Sequence, residues 1–95
     1  MVKGKTKTGF KYEINEALKN DAEFLELFAK MSEGGSVYLF KMIERLLGPE
    51  QKAKLYEHCR AEDGTVPLDV LTAELLDIIA QLGKAEETKK SLPSP

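Results

Sequence analysis

Residues 36–47 constrain this chain most, because Val37, Tyr38, Leu39, Phe40, Met42, Ile43, Leu46 and Leu47 lie on nearly every side when the stretch is wound as a helix. Only Lys41, Glu44 and Arg45 mark a solvent edge. A helix apolar almost all round is one that packs on several sides, so the pattern predicts a central helix covered by the other elements. Its ends are marked as well. Ser36 after Gly34-Gly35 reads as an N-cap, and Gly48-Pro49 supplies a left-handed terminator followed by a residue that cannot continue the helix.

A chain of 95 residues makes one domain, burying roughly 60 to 65% of its unfolded surface in a single modest core. The formal net charge of -2 and a pI near 5.5 supply no global positive field for nucleic acid or anionic lipid. Cys59 is the only cysteine, which rules out an internal disulfide and fits a reducing compartment. The lysines at the N-terminus are followed by no apolar run, so no signal peptide is expected, and no apolar run approaches the ~18 residues a membrane span needs. A soluble cytoplasmic protein is the expectation.

Phe10, Tyr12 and Ile14 alternate with Lys11 and Glu13, the period of a half-buried strand, and Thr8-Gly9 before them suits a tight turn. Residues 2–14 therefore predict a small hairpin, with its apolar face on the helices and its lysines at 3, 5, 7 and 11 guarding the edges. A first helix is expected to start at Asn20 with Glu23 completing a capping box; Phe24, Leu27, Phe28 and Met31 form its apolar face and residue 34 ends it. A third helix opens at Pro49 with a thinner stripe of Ala53, Leu55, Tyr56 and Cys59. After Asp63-Gly64, a last helix runs from Pro67 to a stop at Gly83. Leu68, Leu71, Leu75, Ile78, Ile79 and Leu82 line its face, and Val70 and Leu76 widen it beyond what one neighbour needs. The polar, proline-ended residues 84–95 read as a flexible, disordered tail. The expected fold is thus mainly α: a compact bundle of about four helices, residues 1–83, with an N-terminal hairpin.

Residues 59–70 have the glycine of a calcium loop, but with Gly64 in the sixth place the first, third and twelfth places hold Cys59, Ala61 and Val70, which offer no oxygen ligand. His58 and Cys59 are the only residues of their types and point about 100° apart on a helix, too few for a zinc site. The serines have no supporting histidine, no glycine-rich loop follows a strand, and the carboxylates lie on outer helical faces. No catalytic, metal or cofactor site is therefore expected. A helix-turn-helix reading places Lys52, Lys54, His58 and Arg60 on one helix, yet residues 67–82, which would enter the groove, present Asp69, Glu74 and Asp77 without a lysine or arginine.

Taken together, Gly9-Phe10-Lys11-Tyr12-Glu13-Ile14-Asn15, then Glu23-Phe24-Leu25-Glu26-Leu27, then Leu46-Leu47-Gly48-Pro49-Glu50-Gln51, and finally Asp63-Gly64-Thr65-Val66-Pro67 before Ala73-Glu74-Leu75 resemble the small tail assembly chaperones of long-tailed bacteriophages and prophages. The likeness covers residues 3–83. It implies a mostly helical, non-enzymatic protein of the host cytoplasm that self-associates, coats the tape measure protein and is absent from the finished particle, with the tail tube protein as a second partner. In that family a longer product is sometimes made by frameshifting, for which codons at Lys89-Lys90 would supply the slippery run. A coat on helical segments needs exposed apolar surface, and Leu68, Val70, Leu71, Leu75, Leu76 and Ile79 are the candidate partner-binding residues. The alternative is a small prophage regulator or adaptor that binds nucleic acid through the basic hairpin.

Overall fold

The computed structural model describes residues 1–91, with side chains described as far as residue 83. Strand β1 (Val2–Lys5) pairs antiparallel with β2 (Lys11–Ile14), in a register that sets Val2 opposite Ile14 and Lys5 opposite Lys11. The turn closes through Thr6, whose amide donates to the Phe10 carbonyl (2.9 Å) and whose hydroxyl oxygen accepts from the Phe10 amide (3.0 Å), while Gly9 takes a φ of 99°. The alternation works as its period requires: Phe10, Tyr12 and Ile14 are buried and Lys3, Lys5 and Lys11 are exposed.

Helix α2 (Ser36–Cys59) is where the other elements converge, and its buried residues are Leu39, Met42, Ile43, Leu46, Leu47, Leu55 and Cys59. Its first half, expected to be apolar on nearly every side, is not covered all round, however, since Val37 is 63% and Phe40 39% exposed. The hairpin, α1 (Ala22–Ser32) and α3 (Leu68–Ser91) reach only part of its circumference. The expected cap also moves. Gly35 holds the N-cap angles and Ser36 is the first helical residue; a Cβ at position 35 would run into the Tyr38 ring, so glycine lets that ring close over the helix start.

Three helices stand where about four were expected, because the second and third are joined end to end. The break between them is real: Gly48 sits at φ 80°, ψ 165°, and Pro49 follows. Gln51 bridges it by donating from Nε2 to the Leu47 carbonyl (2.9 Å), an acceptor that the interruption leaves open.

Asp21, not Asn20, caps α1, its carboxylate accepting from the Phe24 amide (2.9 Å), while Asn20 ends a short 3-10 helix (Glu16–Asn20) that Asn15 caps. Arg45 of α2 donates to the same Asp21 oxygen from both Nε and Nη2 (3.0 and 2.9 Å), which explains the choice of the charged side chain. Helix α3 begins after Pro67, whose carbonyl accepts from Leu71, and does not stop at Gly83. A mid-helix glycine costs only about 1 kcal/mol, and the Lys, Ala and Glu residues after it are strong helix formers. Of the expected tail, residues 92–95 and all side chains from 84 onward lie outside the described residues.

Candidate functional site

The broad stripe of α3 divides. Leu71 and Leu75 are 2% and 0% exposed and belong to the core with Ile78 and Leu82, so they are unavailable to a partner. Leu68 and Leu76 are 47% and 46% exposed and, with the half-buried Ile79 and Thr72, share one flank. Val70 is exposed too, but at about 100° per residue it lies some 200° round the helix from Leu68, beside Glu74 and Asp77 on the hairpin flank. The six candidate residues therefore make no single surface.

What the structure adds is a facing wall. Phe28, Met31 and Ser32 of α1 stand opposite Thr72 and Leu76 of α3, with Leu39 of α2 beneath, and together they bound an open groove of about 520 Å³. Leu25, 46% exposed, precedes Phe28 by three residues, and Leu68 precedes Thr72 by four, so each wall extends one helical turn further. Of the hydroxyls in the groove, Ser32 donates to the Phe28 carbonyl (3.0 Å) and Thr72 to that of Leu68 (2.7 Å), while Ser36, at the start of α2, lines the groove beside Gly34. Periodicity alone places Phe28 and Met31 on the core face of α1 and so does not disclose this wall. Leu25, apolar and just off that face, was the available signal.

A second cluster ties the hairpin turn to the helices. The Thr8 hydroxyl donates to Glu74 Oε2 (2.7 Å), so its oxygen accepts from His58 Nε2–H (2.8 Å), and His58 also packs against the Phe10 ring with 5.5 Å between centroids. Glu74 is 4% exposed, and its Oε1, 3.9 Å from His58 Nε2, has no hydrogen-bond partner among the described residues. With its proton given to Glu74, the Thr8 hydroxyl is held in place rather than activated by His58. Burial, and then the charge of Glu74, push the Cys59 thiol up from its ordinary value. Among the described residues no group of His, Cys, Asp and Glu has the geometry to hold a metal. The Asp63 carboxylate of the supposed calcium loop is engaged by the Thr65 amide and hydroxyl (3.0 and 2.7 Å), which hold it below the usual carboxylate range.

No protein-family model, curated protein or solved structure matches this chain. The chain's own geometry must therefore carry the reading. No helix among the described residues is long and apolar enough to cross a membrane. The basic hairpin is less open than its composition indicated: Lys3 lies 3.7 Å from Glu13, and the backbone amide of Lys7 donates to Asp77 Oδ2 (2.8 Å). Lys5 and Lys11, opposite each other, are both exposed.

Proposed function

We propose that this protein is a non-enzymatic tail assembly chaperone that self-associates and holds the tape measure protein in solution, in the host cytoplasm, while a phage tail is built. The observation that carries the reading is the groove between α1 and α3, where Phe28 and Met31 of one helix face Leu76 of the other across an open apolar surface. The phrases that resemble the phage family, from Gly9-Phe10 to Ala73-Glu74-Leu75, name the partner. An open apolar trough suits a client that presents many similar helical segments, because each segment needs only a modest, exchangeable contact.

The test is co-expression with the tape measure protein encoded beside this chain, comparing wild type with Leu76→Asp. Wild type should keep the tape measure protein soluble, and Leu76→Asp should not, although Leu76 is half exposed and its replacement leaves the core intact. A tape measure protein equally soluble without any chaperone overturns the reading. A second reading, a nucleic-acid-binding regulator or adaptor, rests on the exposed Lys5 and Lys11 pair, since like charges directly opposite on a hairpin are unfavourable without an anion. Duplex DNA shifted by the purified protein, with affinity falling steeply as salt rises, would put that reading first.

A further inference from the structure

We propose that the hairpin turn is a pH-operated latch, fastened to α3 while His58 is protonated and loosened when the imidazole loses its charge. The inference needs no partner and stands apart from the chaperone reading. It starts from the buried Glu74 carboxylate, 4% exposed, whose Oε2 accepts from the Thr8 hydroxyl (2.7 Å) and whose Oε1 has no hydrogen-bond partner among the described residues. A buried charge served by one neutral hydrogen bond is poorly compensated, and it favours a cation brought beside it. His58 stands in that place, with Nε2 3.9 Å from Oε1. Thr8 gives its own proton to Glu74, so Nε2 carries a hydrogen and donates to the Thr8 oxygen (2.8 Å), which leaves Nδ1 bare. The His58 side chain is 30% exposed, and Nδ1 makes no hydrogen bond among the described residues. The ring therefore takes up a proton from solvent without breaking the Nε2 contact.

The remaining charges around His58 do not take its place. On the hairpin the Lys7 side chain is exposed, and its backbone amide donates to Asp77 Oδ2 (2.8 Å). On α2 Lys54, one turn earlier, is exposed, Glu57 pairs with Arg60 at 2.9 Å, and Cys59 contributes a buried thiol. On α3 Asp77, one turn beyond Glu74, accepts from Lys7 and from Gln81 (3.2 Å). None of them bonds to Glu74 Oε1. The imidazolium is thus the counter-charge that the fold provides for the buried carboxylate. Both partners lie under one turn, since Thr8 bonds to each and the Phe10 ring packs on His58 with 5.5 Å between centroids. A cation that the folded contact favours adds stability that is present at acid pH and is lost as pH rises through its titration. Histidine changes charge between about pH 5 and 8, so the turn is held most firmly at the acid end of that range and lifts more often at the other.

A two-stranded hairpin is marginal by itself, so lifting opens its own amides to exchange. Native-state hydrogen exchange of the full chain, with each rate divided by the intrinsic rate at the same pH, follows the amides of Thr6 and Phe10. These bond across the turn to the Phe10 carbonyl (2.9 Å) and the Thr6 hydroxyl (3.0 Å). Their protection should be roughly threefold to tenfold higher at about pH 5.5 than at about pH 8, the span that a part-exposed charge pair allows, while Ile43 and Leu55 in the core change less than about twofold. Glu74→Gln removes the buried charge, and His58→Gln removes the titrating ring while keeping a side-chain N–H for Thr8. Each should bring the ratio to about one, with an unchanged circular dichroism spectrum. The part-exposed His58 tolerates replacement, so its variant decides the question even where Glu74→Gln does not fold. A wild-type ratio of about one or below at Thr6 and Phe10, an equal change at Ile43 and Leu55, or a ratio that survives in either folded variant overturns the proposal.

Discussion

Glu74 occupies the least comfortable position of any charged residue in the described core, buried at 4% exposure with one carboxylate oxygen bonded to Thr8 and the other unpartnered. A helical-wheel reading puts it on the outer face with the other carboxylates, and that is where the sequence misleads. The hairpin folds back over that flank of α3, which no local period announces. Thr8→Val should strand the second oxygen as well, and urea denaturation should register a loss of about 1–3 kcal/mol. Glu74→Gln keeps an acceptor for Thr8 and removes the buried charge, so its loss should stay below about 1 kcal/mol. If the two variants lose equally, the Thr8 bond is not what makes the buried carboxylate tolerable.

Among the elements, α2 is the one whose interruption was legible and whose length was not. Gly48-Pro49 announces a break, and Gly48 does hold a left-handed φ of 80° with open space where a side chain would go. Gly48→Ala should therefore cost about 1–2 kcal/mol through backbone strain alone, without a clash. Across the break Gln51, a surface glutamine by composition, donates to the Leu47 carbonyl that the interruption leaves open. The tie between α1 and α2 is electrostatic at its edge. Arg45 reaches Asp21 and Glu23, both at 2.9 Å, and its hydrogen bond holds the Asp21 carboxyl below its ordinary value of 3.8, with the Phe24 amide contributing. A carboxyl depressed in the folded state adds stability that is present above its unfolded value and is lost as pH falls through the folded one. Melting temperature should thus decline below about pH 4, and Arg45→Gln should flatten part of that decline. A variant with the same acid limb as wild type would show that this contact is energetically idle.

For the molecule as a whole, the hairpin and the core faces were readable because both obey short periods, two for the strand and 3.6 for the helices. Ile14, Phe24, Ile43, Leu55, Leu71, Leu75 and Ile78 all lie in the core. The groove was half readable. Leu76 belongs to one helix's surplus and Leu68 and Ile79 to its main apolar face, but a wall on another helix requires knowing which faces meet, and periodicity says nothing about partners in space. Cys59, 6% exposed in the core cluster, offers a reporter for the integrity of the assembly. Its raised thiol and burial should make alkylation by iodoacetamide at least about 100-fold slower in the folded protein than in urea. Fast alkylation under native conditions would mean that α2 and α3 part locally without global unfolding.

The two-stranded sheet is closed on both sides by glutamines. Gln51 accepts from the Glu13 amide (2.7 Å) and donates to its carbonyl (2.6 Å), so one side-chain amide occupies the hydrogen-bonding positions of a neighbouring strand. On the opposite strand Gln81 donates to the Lys5 carbonyl (3.0 Å) and Asp77 accepts from Lys7. A chaperone of the kind proposed would have to remain dispersed while exposing apolar helical surface, and its particular hazard would be growth into fibres by strand addition. Here the Glu13 amide and carbonyl on one edge and the Lys5 carbonyl on the other are already engaged by side chains of the same chain, which an incoming strand would have to displace before it could add.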